Sequence, residues 1–233
     1  MMTFTSLASS SRGNCYVVRD SETAILLECG ISFRRIQKGL GFDLSAIRAC
    51  LVSHEHTDHA KSVMDCIQSG MEVFASEGTA SALDCDLITP AADRVPFRVG
   101  SLEIVPFATF HDAAEPLGFL VYSHSDGERL VFATDTVNLG YRFPGVNLLA
   151  LEANYDASLL ARCERLPEKV RKRVTNSHME IHTLCRYLST LDLSACRTLY
   201  LLHLSRAASS EGQFLTQVRQ VVPPHVQVIL CGE

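Results

Sequence analysis

Apolar positions along this chain recur in two different rhythms. Short apolar runs rich in β-branched and aromatic residues, closed off by turn-forming residues, predict strands. TFTSLA, NCYVVR and TAILLEC come first, separated by SSSRGN and DSE; IRACLVS, MEVFAS, SLEIVPFATF, GFLVYSH, RLVFAT and VNLLALEA follow. Helical spacing with a glycine stop predicts helices over ISFRRIQKGLG and AKSVMDCIQSG, the second ending at Gly70. The last third alternates the two, with helices over ASLLARCERL, PEKVRKRV, IHTLCRYLSTL and EGQFLTQVRQVV and strands over TLYLLHLS and HVQVILC. The pattern predicts an α/β protein, strand-rich early and helix-rich late. So many strands are best absorbed by two mixed sheets flanked by helices, although periodicity leaves the strand order open. No repeat, low-complexity block or linker interrupts the pattern, so a single domain over 1–233 is expected.

Composition narrows the class. With 47% apolar and 20% charged residues the 233-residue chain can bury a substantial core and does not read as disordered or fibrous. A net charge of −5 argues against a generally basic nucleic-acid coat and leaves room for a local basic face. MMTFTSLASSS turns polar too soon for a signal peptide, and no apolar run reaches the ~20 residues of a bilayer span, so a membrane role is not expected. The nine cysteines include no C-x-x-C pair and several sit inside apolar runs. Free buried thiols explain them better than a disulfide framework or a thiolate zinc site.

The chemistry concentrates in HEHTDH. His54, His56, Asp58 and His59 lie directly behind the apolar run IRACLVS. By chance H-x-H-x-D-H arises on the order of once in ten thousand chains of this length. Imidazole suits a borderline cation and carboxylate adds charge and a harder oxygen, so the motif predicts a metal site, with room for two ions. Further ligands are expected at other strand ends, where an α/β sheet gathers function. His111 follows SLEIVPFATF, Asp135 follows RLVFAT and His203 ends TLYLLH. Each has a plain reading as a loop or turn residue, and Asp58 has one as a helix N-cap. Their shared placement favours ligation.

This set resembles the metallo-β-lactamase superfamily. LASSSRGNCYVV, LLECGIS, HDAAEPLGFLV, LEANYD and LLHLSR resemble its YycJ/WalJ nuclease branch over nearly the whole chain. The resemblance implies an αβ/βα four-layer sandwich and two divalent metal ions, zinc or manganese. His54, His56 and His111 would hold one ion, and Asp58, His59 and His203 the other, with Asp135 bridging. It implies a metal-dependent phosphodiesterase related to RNase J and the tRNA 3′-processing enzymes: a cytoplasmic 5′-exonuclease-like hydrolase with nucleic acid, DNA ahead of RNA, as substrate. A metal-bridging hydroxide would be the nucleophile. Asp58 and His178 would be catalytic, Asp58 acting on the water and His178 on the phosphate or leaving group, with His182 a competitor for the second role. Glu28, where the branch has Asp, would keep an acidic group behind the ligands with a longer reach, and Glu152, at the end of VNLLALE, would orient a ligand histidine unless it is simply a surface acid after a strand.

Substrate contacts are read from charge and turn chemistry. Ser11 and Asn14 in SSSRGN are candidates for a phosphate cradle, against the plainer use of that stretch as a strand-to-strand turn. Arg162, Arg165, Lys169, Arg171, Lys172 and Arg173 face only Glu164 and Glu168 in the same stretch, and Arg34, Arg35 and Lys38 form a smaller group. Such clusters suit phosphate contacts, and equally a solvated helix face. Two other classes stay open: a hydrolase of a small ester, thioester or cyclic nucleotide, and a non-catalytic relative.

Overall fold

The computed structural model describes residues 1–232. Its strands are β1 (Thr3–Ala8), β2 (Cys15–Arg19), β3 (Ala24–Leu27), β4 (Ile47–Leu51), β5 (Glu72–Ala75), β6 (Thr89–Pro90), β7 (Phe97–Val99), β8 (Leu102–Ala108), β9 (Leu117–Ser123), β10 (Arg129–Ala133), β11 (Leu148–Glu152), β12 (Thr198–Leu202) and β13 (Gln227–Leu230). They form two mixed sheets flanked by helices, one ordered β1-β2-β3-β4-β5-β6 and the other β13-β12-β11-β10-β9-β8-β7. This is the expected fold class. The chain divides into two compact units, residues 1–108 with 113–128 and residues 109–112 with 129–232.

In the first unit β1, β2 and β3 pair antiparallel, and β3 to β6 run parallel. Helices α1 (Phe33–Gly39), α2 (Thr57–Ala60), α3 (Val63–Gln68) and α4 (Glu77–Ala82) connect the parallel strands. Gly70, with φ +87°, ends the turn after α3 in a left-handed conformation that costs glycine nothing. Apolar periodicity misses α4, whose small polar residues EGTASA are held instead by Ser76, which caps the helix through its side chain on the Thr79 amide. It also misses β6 and β7, of two and three residues, which are too short to show alternation.

In the second unit β10, β11, β12 and β13 are all parallel, with helices α5 (Ala157–Arg162), α6 (Glu168–Ser177), α7 (Ile181–Leu188) and α8 (Glu211–Arg219). Every residue of β11 is buried, as a parallel interior strand requires. Parallel pairing brings the C-terminal ends of β10, β11 and β12 side by side, because Ala133 pairs near Leu151, and Glu152 with Leu202.

Two buried details of the first unit carry measurable stability. Asp20 Oδ2 accepts hydrogen bonds from the hydroxyls of Ser101, Ser123 and Ser125 at 2.7, 2.7 and 2.8 Å, and Oδ1 accepts from the Glu22 and Thr23 amides. Burial alone would raise this carboxyl, but the hydrogen bonds outweigh it and hold it well below the ordinary range. Gly30 passes so close to the first turn of α2 that a Cβ there would lie 1.6 Å from the Asp58 carbonyl oxygen.

Asp20→Ala is therefore expected to cost about 3 kcal/mol of stability. Because the folded pKa is depressed, the wild-type advantage is complete above the unfolded value of about 4 and fades as pH falls below it. Urea unfolding of both proteins at pH 7 and pH 3 checks the sign. Gly30→Ala must push the first turn of α2 aside, and a loss of roughly 1–3 kcal/mol is expected in thermal unfolding.

Candidate metal centre

In the first unit the apolar strand β4 ends at Leu51 and delivers HEHTDH to the surface of its sheet. His54 and His59 are buried, while His56 and Asp58 are half-buried. His56 occupies the cap position of α2 and accepts the His59 and Ala60 amides through its carbonyl. Asp58 falls in the first turn instead, so the N-cap reading weighed for it goes to His56. His54 Nδ1 lies 2.8 Å from Ser53 Oγ, which leaves Nε2 turned inward, 3.0 Å from His56 Nδ1. Two imidazole nitrogens at that separation can share one cation. The His54 and His59 rings lie 4.2 Å apart between centroids.

Backbone contacts pin this loop from below. The Asn14 amide donates to the Asp58 carbonyl, the Cys29 amide to the His59 carbonyl and the Ser62 amide to the Cys29 carbonyl. Glu28, fully buried at φ +66°, reaches the Ser53 amide with both carboxylate oxygens at 3.3 Å and faces His59 Nδ1 at 3.5 Å. A carboxylate at Nδ1 keeps the proton there and presents Nε2 as the ligand atom. Asn14 is also fully buried; its Nδ2 donates to the Ser10 and Asp58 carbonyls and lies 3.1 Å from His59 Nε2. Ser11 is exposed in the turn between β1 and β2.

In the second unit the ends of the parallel strands supply the chemistry. Asp135 and His203 follow β10 and β12 with φ of +46° and +54°. Together with Glu28 they make three of the six non-glycine residues in that uncommon conformation among the described residues, and each follows the end of a strand. Asp135, Glu152, His178 and His203 each offer a ligand atom within 4.8 Å of the others. His203 Nδ1 lies 2.6 Å from Asp135 Oδ1 and 3.4 Å from Glu152 Oε1. His178 Nδ1 lies 2.6 Å from Glu152 Oε1, whose other oxygen accepts the Thr136 and Met179 amides. His111 donates through Nδ1 to the Ser177 carbonyl at 2.7 Å, and its Nε2 stands 3.5 Å from Asp135 Oδ2.

Electrostatics follow from two buried carboxylates side by side. Burial would lower His203, but Asp135's charge and hydrogen bonds to Asp135 and Glu152 push it up to about 10. Burial acts on His178 in the same direction and is likewise overcome, by the charges of Glu152 and Asp135. Burial wins at His111, which is lowered. Glu152 is lowered against its burial by His178 and His203. The cluster calls for positive charge, and its nitrogen and oxygen donors fit a divalent ion of the zinc or manganese kind.

Some placements depart from what sequence alone suggests. His182 is exposed, 3.9 Å from Asp156 and 4.0 Å from Glu180, whereas His178 belongs to the cluster. Ser53, the Ser177 carbonyl and Asp112, which is 3.4 Å from His111 Nε2, were not singled out. Adjacency to a ligand was the only signal available for Ser53 and Asp112. Cys29, Cys50 and Cys66 lie far apart in sequence yet bring their sulfurs within 4.8 Å in the apolar core.

Residues 23–204 match the family model described as "Beta-lactamase superfamily domain". The chain is 30% identical over 220 residues to exodeoxyribonuclease YycJ of Bacillus anthracis, spanning 87% of this chain and 82% of that one. It is 26% identical over 238 residues to exodeoxyribonuclease WalJ of Streptococcus pneumoniae, spanning 92% and 86%. The metallo-β-lactamase fold protein YhfI of Bacillus subtilis superposes with a TM-score of 0.76 at 16% identity, over 100% of this chain and 98% of that one. Among the described residues no helix is long and apolar enough to cross a membrane. Fold, strand-end donors and kinship agree: the chain is a hydrolase of the metallo-β-lactamase superfamily, in the branch that holds YycJ and WalJ.

Proposed function

We propose that this chain is a dinuclear metal-dependent phosphodiesterase that degrades DNA from an end. The observation that carries the reading is the complete donor set. His54, His56, Asp58 and His59 come from one loop, and His111, Asp135 and His203 from strand ends. The relatives named exodeoxyribonuclease supply the substrate class. In the family pattern His54, His56 and His111 would hold one ion and Asp58, His59 and His203 the other, with Asp135 as a further donor. Divalent ions bound there would supply a nucleophile at neutral pH and neutralise charge on the phosphate.

The chain's own groups do the rest. Asp58, a quarter exposed, orients the attacking water and accepts its proton. Glu28 and Glu152 hold His59 and His178 in fixed tautomers, so that each Nε2 is presented to the site. His178, steadied on Glu152, delivers a proton or a hydrogen bond to the departing oxygen. Ser53 keeps His54 from rotating.

Protein purified without chelator is expected to carry about two divalent ions per chain by elemental analysis, and to lose DNA hydrolysis on chelation. Activity returns with zinc or manganese, and the better of the two identifies the working ion. Asp58→Ala is expected to lower the rate on end-labelled DNA about 10²- to 10⁴-fold. Glu152→Gln is expected to weaken metal affinity about 10- to 100-fold in a competition titration. Turnover of small esters with DNA left intact would reject the nuclease reading, and metal-free protein with unchanged activity would reject the whole of it.

A further inference from the structure

Helix α6 carries the densest positive charge of a chain whose net charge is −5, and the structure sorts its cations into two kinds. Arg171 spends its guanidinium on the Cys163 and Leu166 carbonyls at 3.0 and 2.9 Å, closing the turn between α5 and α6. Arg173 pairs with Asp112 at 2.7 Å, beside His111. Arg162, Arg165, Lys169 and Lys172 are exposed, and among the described residues none of them has a hydrogen-bond or ion-pair partner. Lys169, Lys172, Arg173 and Asn176 follow one another at helical spacing and share one face. At 1.5 Å per residue that face runs about 15 Å and ends at Ser177 and His178, the residues that hold His111 and Glu152.

A groove of about 320 Å³ runs beside the stripe, with Tyr155, Leu160 and Ala161 on its apolar side and Glu168, Arg171, Lys172 and Thr175 on its polar side. A single nucleic-acid strand alternates charged phosphates with flat apolar bases, and a basic row beside an apolar groove matches that alternation. A duplex, with its bases stacked inside, would leave the groove unused.

Resting on the nuclease reading, we infer that α6 is the track along which a single DNA strand reaches the metal centre. Lys169 and Lys172 contact its phosphates, and the groove beside α5 receives a base. Arg171 and Arg173 serve the helix and His111 rather than the strand.

The test uses the full chain in chelator, so that nothing is cut, with fluorescein-labelled oligo-dT followed by anisotropy across a salt series. The variant Lys169→Glu/Lys172→Glu is expected to bind at least about 10-fold more weakly. The slope of log affinity against log salt should shrink by about 1.4, from two lost single-strand phosphate contacts. With metal restored, its KM for DNA should rise while kcat is largely kept. Unchanged melting and metal content would establish that it folds. Arg48→Glu, an exposed reversal on β4 that carries half of that charge change, should alter affinity by less than threefold, well short of half the effect on a logarithmic scale. Equal binding by the double variant and wild type, with wild type still degrading DNA, overturns this assignment alone. Wild type that neither binds nor degrades DNA overturns the nuclease reading beneath it.

Discussion

Two carboxylates buried side by side, Asp135 and Glu152, impose the condition that organises the second unit. Neither can sit in a dry sheet edge without positive charge close by. His178 and His203 stand within 2.6 Å of one or the other, and the whole group fits inside a few ångströms. Parallel pairing creates the condition, because it puts the last residues of β10, β11 and β12 next to one another. A divalent cation answers the same demand with more charge than protonated imidazole offers. Metal affinity and the buried acids are therefore one feature.

The first unit solves a different problem, which is to hold a loop of four polar side chains rigid at the end of an apolar strand. It does so mostly with backbone. Asn14, Cys29 and Ser62 hydrogen-bond through main-chain groups to the loop or to one another, and Gly30 lets the chain pass where a side chain could not. Glu28 then fixes both the start of the loop, through the Ser53 amide, and the far end, at His59. It thereby bridges two positions six residues apart.

Helix α6 joins charge to geometry. Its C-terminal turn supplies the carbonyl that orients His111 and leads into His178, while Arg173 ties Asp112 beside the same histidine. On α6 itself Lys169 and Lys172 remain for a ligand. A cluster of six cations in the sequence thus becomes, in three dimensions, a structural pair, Arg171 and Arg173, and four exposed side chains.

Much of this was legible in the chain itself. HEHTDH is local, so its spacing alone raises the expectation of a metal loop, and the end of each apolar run marks where Asp135, Glu152 and His203 emerge. The helices and most strands follow from periodicity, because burial of one face acts residue by residue. What the tertiary structure alone decided involves partners far apart in sequence or contacts made by backbone. The Ser177 carbonyl on His111, the choice of His178 over His182, the burial of Asn14 and the meeting of Cys29, Cys50 and Cys66 leave no periodic trace. Short elements such as α4, β6 and β7 are fixed by capping and neighbouring strands rather than by their own apolar pattern. Hydrophobic patterning records which residues must leave water. Which of them then meet is set by strand pairing across long stretches of chain, and a linear pattern carries no term for that.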